Sequence, residues 1–142
     1  MAITLKTIHN LKTTEDVDFD KLIEIAEWNM NNNKLDLSEF VKNNKIFNPK
    51  DVLTYLKENK PKVKGGLLHG DYRPKNMIVS NSDLYILDWG LSFVGDPYYD
   101  FAIIKWYFTD EEFVKFMRYY GIECVDEERI KYNEWLSAFL NV

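Results

Sequence analysis

The sequence predicts an α+β domain that is mostly helical, with a small β-hairpin insert near its middle. Three observations carry this. Apolar residues recur at helical spacing up to residue 64 and again after residue 97. Between those stretches, short apolar runs separated by turn formers shift the period toward that of strands. All six glycines lie at or after Gly65, so tight turns and close backbone approaches belong to the second half.

The elements follow in order. Ala2–Leu11 places Ile3, Leu5, Ile8 and Leu11 near helical spacing. Asp18 or Asp20 opens a second helix with Leu22, Ile25, Ala26 and Met30 on one face, and the run Asn31–Asn33 stops it. A short helix begins near Ser38, with Phe40 and Val41 apolar. Asn48 then Pro49 form an N-cap and first-turn pair leading into Val52, Leu53 and Leu56. Lys57–Lys64 is a polar connector. Gly66–His69 reads as a strand, and Met77–Val79 with Leu84–Leu87 as a hairpin joined by Ser80–Asp83. Helix returns after Asp96–Pro97 through Phe101, Ile104, Lys105 and Phe108. Thr109 and Glu112 form a capping box, with Phe113, Phe116, Met117 and Tyr120 as the buried stripe behind it. Asp126 caps a last helix bearing Tyr132, Trp135, Leu136 and Phe139.

At 142 residues, with 46% apolar and 29% charged positions, the chain has the size and core of one domain. Phe101–Phe108 is the best apolar run and Lys105 breaks it, which argues against a membrane span. The N-terminus lacks a basic-then-apolar leader. Cys124 is alone, so no internal disulfide forms, which fits a reducing compartment and a cytoplasmic location. Two His and one Cys do not make a structural zinc site. A net charge of −5 disfavours nonspecific nucleic-acid binding.

One segment carries chemistry. Asp71 follows a strand and a glycine, where side chains project into a cleft. Asn76 lies five residues on, across a loop stiffened by Pro74. Asp88 ends the second strand of the hairpin, and Gly90 lets the backbone turn away. An Asn amide oxygen and an Asp carboxylate are hard ligands suited to Mg²⁺, which keeps water and substrate phosphates as its other ligands. A second carboxylate can accept a hydroxyl proton. These are the minimum parts for phosphoryl transfer to an alcohol.

His69-Gly70-Asp71-Tyr72-Arg73-Pro74-Lys75-Asn76 resembles the kinase catalytic loop H-R-D-x-x-x-x-N with the same spacing, and Asp88-Trp89-Gly90 resembles the D-F-G metal motif. Gly70 and Trp89 in those positions resemble the aminoglycoside phosphotransferase and choline kinase superfamily. Gly95-Asp96-Pro97-Tyr98-Tyr99-Asp100-Phe101-Ala102 is similar to that family's GDPxxDxA run, and Leu5-Lys6-Thr7-Ile8-His9 to the segment opening its C-terminal lobe. The resemblance implies that residues 1–142 are a kinase-like C-terminal lobe whose hairpin insert carries the catalytic and metal loops. It implies Asp71 as catalytic base and Asn76 and Asp88 as ligands of Mg²⁺ on bound ATP. Arg73 would face the transferred phosphate, where a cation offsets developing charge. His69 and Asp100 would support the loop.

The superfamily covers ATP with a smaller lobe bearing a glycine loop and a strand-borne Lys. Residues 1–64 contain no glycine and no strand signal. The resemblance therefore implies half an ATP site, little turnover by this chain alone, and a separate N-terminal lobe or self-association through an exposed apolar face. The acceptor would be a small molecule bearing a hydroxyl. A noncatalytic ligand- or partner-binding module and a dimerising fragment are the other readings. The acids Asp110–Glu112 and Asp126–Glu128 lie at expected helix starts, where they offset the helix dipole. His9 reads as a structural or exposed residue of an amphipathic helix.

Overall fold

In the computed structural model, which describes residues 1–13, 16–35 and 48–140, the described residues form α-helices and two small two-stranded antiparallel sheets. Helix α1 spans Ala2–His9 and α2 spans Phe19–Asn31. The Asp18 carboxylate accepts the Lys21 backbone N–H, which settles which aspartate caps α2. The short helix expected near Ser38 lies outside the described residues. Helix α3, Pro49–Glu58, starts as expected, with Asn48 accepting from the Lys50 N–H and Pro49 in the first turn.

Strand β1 is Gly66–Leu68. Strands β2, Met77–Ser80, and β3, Asp83–Ile86, form the expected hairpin with Met77 opposite Ile86 and Ser80 opposite Asp83. Its turn is tighter than expected. Only Asn81 and Ser82 lie outside the strands, and both have positive φ, the two-residue connection that matches the twist of a hairpin.

The fourth strand, β4 at Phe93–Gly95, pairs antiparallel with β1 through Leu68–Phe93 and Gly66–Gly95. Three residues are too few for a period-two pattern, so only the partner strand reveals it. β1 also crosses the end of α1. A Cβ on Gly66 would lie 2.6 Å from the His9 carbonyl oxygen, which is why β1 begins with glycine; α1 itself stops at His9 rather than Leu11.

Helix α4 covers Tyr98–Lys105, α5 Asp110–Tyr120 and α6 Glu127–Leu140. Both halves of the Thr109–Glu112 capping box form, and the Asp126 carboxylate accepts the Arg129 N–H. Helix α4 is the centre of the domain, with every residue from Tyr98 to Ile104 buried. Tyr99 and Ile103 enter an apolar core with α2, α3 and α6. Tyr98, Phe101 and Ile104 enter a second core with α1 and α5. A helix buried on all sides sits between such layers, and its one buried carboxylate, Asp100, is taken up by hydrogen bonds.

Asp96 locks α6 across the start of α4. It is 2% exposed, accepts from the Tyr98 N–H and Asn133 Nδ2, and pairs with the Arg129 guanidinium, which lies 3.9 Å over the Tyr98 ring. No helix among the described residues is long and apolar enough to cross a membrane.

Candidate active site

The loop from His69 to Asn76 leaves β1 just past Leu68, whose side chain is fully buried. The strand end is thereby fixed, and the loop backbone is tied to α4. Asp100 Oδ2 accepts the N–H of His69 and Oδ1 the N–H of Gly70, each at 2.9 Å. Gly70 has φ +81°, and a Cβ there would lie 2.0 Å from the Leu91 carbonyl oxygen, so only glycine lets the loop pass under the segment after β3.

His69 is fully buried and joins the two chemical segments. Its Nδ1 accepts the Asp71 N–H at 3.2 Å, which leaves Nε2–H to donate to the Leu87 carbonyl at 2.9 Å. The ring also packs edge-on to Trp89. His69 thus ties the residue before Asp88 to Asp71.

Asp71, Arg73 and Asn76 meet. Asn76 Nδ2 donates to Asp71 Oδ2 at 2.9 Å and to the Asp71 carbonyl at 3.0 Å. The Arg73 guanidinium reaches the same Oδ2 at 2.7 Å. Asp71 Oδ1 has no partner among the described residues. A carboxylate so held has one oxygen fixed and one open to a ligand, the arrangement a proton acceptor needs. Pro74–Asn76 is a single helical turn whose Asn76 N–H donates to the Arg73 carbonyl, so the stiffness expected from Pro74 is realised.

Asp88 stands across the mouth of the hairpin. The Leu87 N–H donates to the Asn76 carbonyl at 2.9 Å, which puts the backbones of Asn76 and the Leu87–Asp88 pair side by side. One expectation is corrected here. β3 ends at Ile86, and it is Asp88 itself, at φ 62° and ψ 68°, that turns the chain rather than Gly90, whose φ is not positive. A left-handed aspartate costs about 1 kcal/mol and is kept where the surroundings require it. The Asp88 side chain is exposed and makes no hydrogen bond or ion pair among the described residues.

The donor set fits a hard divalent cation in one form only. Asn76 spends its amide hydrogens on Asp71, so its carbonyl oxygen is uncommitted among the described residues, and Asp88 offers an unpaired carboxylate. Two oxygen donors suit Mg²⁺, which leaves its remaining positions to water and phosphate. They are too few for an all-protein cage, and no cluster of three or more His, Cys, Asp or Glu occurs among the described residues.

Sequence reasoning missed the layer behind the loop. Of the two readings of His9 the structural one holds: it is buried, its Nε2–H donates to Asp100 Oδ2 at 3.0 Å, and its Nδ1 meets the Tyr120 hydroxyl at 2.9 Å, partners that the sequence did not point to. Burial, then the Asp100 charge, push the Tyr120 phenol up to about 12, so it stays protonated and donates to His9. Tyr72, also raised by burial and then by Asp100, donates to the Met1 carbonyl at 2.8 Å. The signal in the sequence was the likeness of Leu5-Lys6-Thr7-Ile8-His9 to the segment that opens the family's C-terminal lobe.

The fold is that of known small-molecule phosphotransferases. It superposes on aminoglycoside phosphotransferase APH(3'')-Id from Streptomyces rimosus with a TM-score of 0.79 at 18% identity, covering 98% of this chain and 59% of that one. The TM-score is 0.82 at 20% identity for an aminoglycoside-3'-phosphotransferase of type VIII, with coverages of 97% and 58%. For the choline kinase LicA from Streptococcus pneumoniae it is 0.70 at 23% identity, with coverages of 98% and 50%. The chain thus spans half to three fifths of these proteins. The Streptomyces protein is also known in complex with ADP and streptomycin, and LicA with AMP. No curated protein matches the sequence at a significant level. The match that bears on membership runs from residue 1 to residue 131, through α1, the Asp71 loop, the Asp88 turn and α4, and by it the chain belongs to the phosphotransferase enzyme family.

Proposed function

We propose that this chain is the acceptor-side lobe of an ATP-dependent phosphotransferase that moves the γ-phosphate to a hydroxyl of a small molecule. The observation that carries the reading is the convergence of Asp71, Arg73 and Asn76 beside the exposed Asp88.

In this reading Asp71 is the catalytic base. Its open Oδ1 receives the acceptor hydroxyl proton as the oxygen bonds to phosphorus and the bond to the departing ADP breaks. Asn76 keeps the carboxylate turned toward the acceptor. Arg73 supplies positive charge beside the reacting oxygens. Asn76 and Asp88 would hold Mg²⁺, whose contribution when bound is to neutralise charge on the phosphate oxygens. His69 and Asp100 act through the loop backbone.

Residues 1–142 then form a single domain that works beneath a nucleotide-covering lobe. An apolar surface beside Asp88 supports this, since Ile78, Tyr85, Leu87, Trp89 and Leu91 are all exposed. A second copy of the chain is the competing cover. The lone, exposed Cys124 suits a reducing, ATP-rich cytoplasm.

The test is ADP binding to this chain with and without Mg²⁺, followed by calorimetry. The reading expects binding that strengthens with Mg²⁺ and loses that dependence in Asp88→Ala. Binding indifferent to both would instead support a noncatalytic ligand-binding module.

A further inference from the structure

Arg73 is held from two directions, and only one of them lies in the loop motif. One terminal nitrogen pairs with Asp71 Oδ2 at 2.7 Å. The other donates to the Tyr107 hydroxyl at 3.4 Å. The third donor, Nε–H, is buried and has no partner among the described residues.

Tyr107 is well placed to act as a fixed post. It sits in the turn between α4 and α5, where its N–H donates to the Ile104 carbonyl and the Phe108 N–H to the Lys105 carbonyl. Phe108 anchors that turn by packing on Phe116. At the other end of the same helix, Asp100 holds the N–H groups of His69 and Gly70. Helix α4 and the turn that follows it therefore grip the loop at two places, its backbone at Asp100 and its arginine at Tyr107.

A guanidinium is planar, with its five N–H bonds in a fixed fork. Tying both terminal nitrogens to different oxygens fixes the plane, and with it the direction of Nε–H. A buried donor left without an acceptor is costly and gains most from an arriving oxygen. We propose that Tyr107 is a positioning residue that sets Arg73 so that its Nε–H meets a phosphoryl oxygen of the bound substrate. This rests on reading the site as one for phosphoryl transfer. Tyr107 lies outside every motif that points to that chemistry.

The test is NMR of the arginine Nε–H groups in the intact chain, using inorganic phosphate as the ligand probe. The Arg73 Nε–H should exchange with water at least about tenfold more slowly than that of the largely exposed Arg118, because it is buried and its guanidinium is held at both terminal nitrogens. Tyr107→Phe should remove most of that protection without lowering the melting temperature. It should also raise several-fold the phosphate concentration needed to shift the Arg73 signal. Exchange at the Arg118 rate in the unaltered chain would overturn the proposal without recourse to any variant. Protection and phosphate response unchanged in Tyr107→Phe but lost in Asp71→Asn would overturn it too, assigning the hold to Asp71 alone. Neither measurement needs turnover. Absence of phosphotransfer in an assembly that includes a nucleotide-covering lobe, with an intact Tyr107-dependent signal, would sink the functional reading and leave the tether standing.

Discussion

His9 and Asp100 lie 91 positions apart and meet in the interior at 3.0 Å, with the histidine Nε2 against a carboxylate oxygen that also receives the His69 N–H. The Asp100 carboxylate is completely buried and is satisfied by three donors, two of them loop amides. A buried charge that loses its partners is strongly destabilising. The loop geometry and the stability of the domain therefore depend on the same group.

Asp100→Ala should cost about 3 kcal/mol or more in urea unfolding, the range for breaking a buried charged network. Hydrogen exchange at His69 and Gly70 should accelerate with it. A double-mutant cycle with His9→Phe should show coupling of at least about 1 kcal/mol. Additive effects would mean that the His9 contact contributes nothing to the hold on the loop.

Gly70→Ala should destabilise by at least about 2 kcal/mol, since a side chain at φ +81° is strained and its Cβ would strike the Leu91 carbonyl. Gly90→Ala is the contrast. A Cβ there meets nothing nearer than an Asp88 carboxylate oxygen at 3.6 Å, so its cost should stay within about 1 kcal/mol. Equal losses in thermal unfolding would refute the assignment of the turn to Asp88.

Asp71→Asn should lower phosphotransfer by about 10²-fold or more, as loss of a general base does. The assay is turnover in an assembly that includes a nucleotide-covering lobe. Nucleotide binding should survive, because the residues proposed to hold Mg²⁺ are Asn76 and Asp88. An unchanged rate would remove Asp71 from the chemistry.

Tyr120 gives an alkaline dependence with a definite sign. Its phenol is raised by burial and by Asp100 to about 12, from an ordinary value near 10, so the neutral form is favoured in the folded protein. Its contribution to stability is complete below about pH 10 and is lost as the pH rises toward 12. Tyr120→Phe should flatten that part of the stability curve. An equally steep alkaline loss in Tyr120→Phe would place the titrating group elsewhere.

Much of this was legible in the residues. Asn48, Thr109 and Asp126 cap where their side-chain chemistry says they should, because a cap is a local bond within four residues. The Asp71–Asn76 spacing pointed to a site because a single turn at Pro74 brings such residues together. β4 and the burial of His9 were not legible. β4 has too few residues for a pattern of its own, and the hydrogen bonds of His9 run to residues about a hundred positions away.

Local spacing set the helical character, the hairpin and the caps, and it placed the residues of the proposed site in one segment. Each depends on spacing within a few residues. Tertiary structure alone decided how those side chains are held. Asp71 is aimed by Arg73 and Asn76, the loop is gripped by Asp100 of α4 and by Tyr107 in the turn after it, and Asp100 is steadied by His9. Such contacts arise only when two apolar cores pack against opposite sides of α4, and no local pattern encodes that meeting.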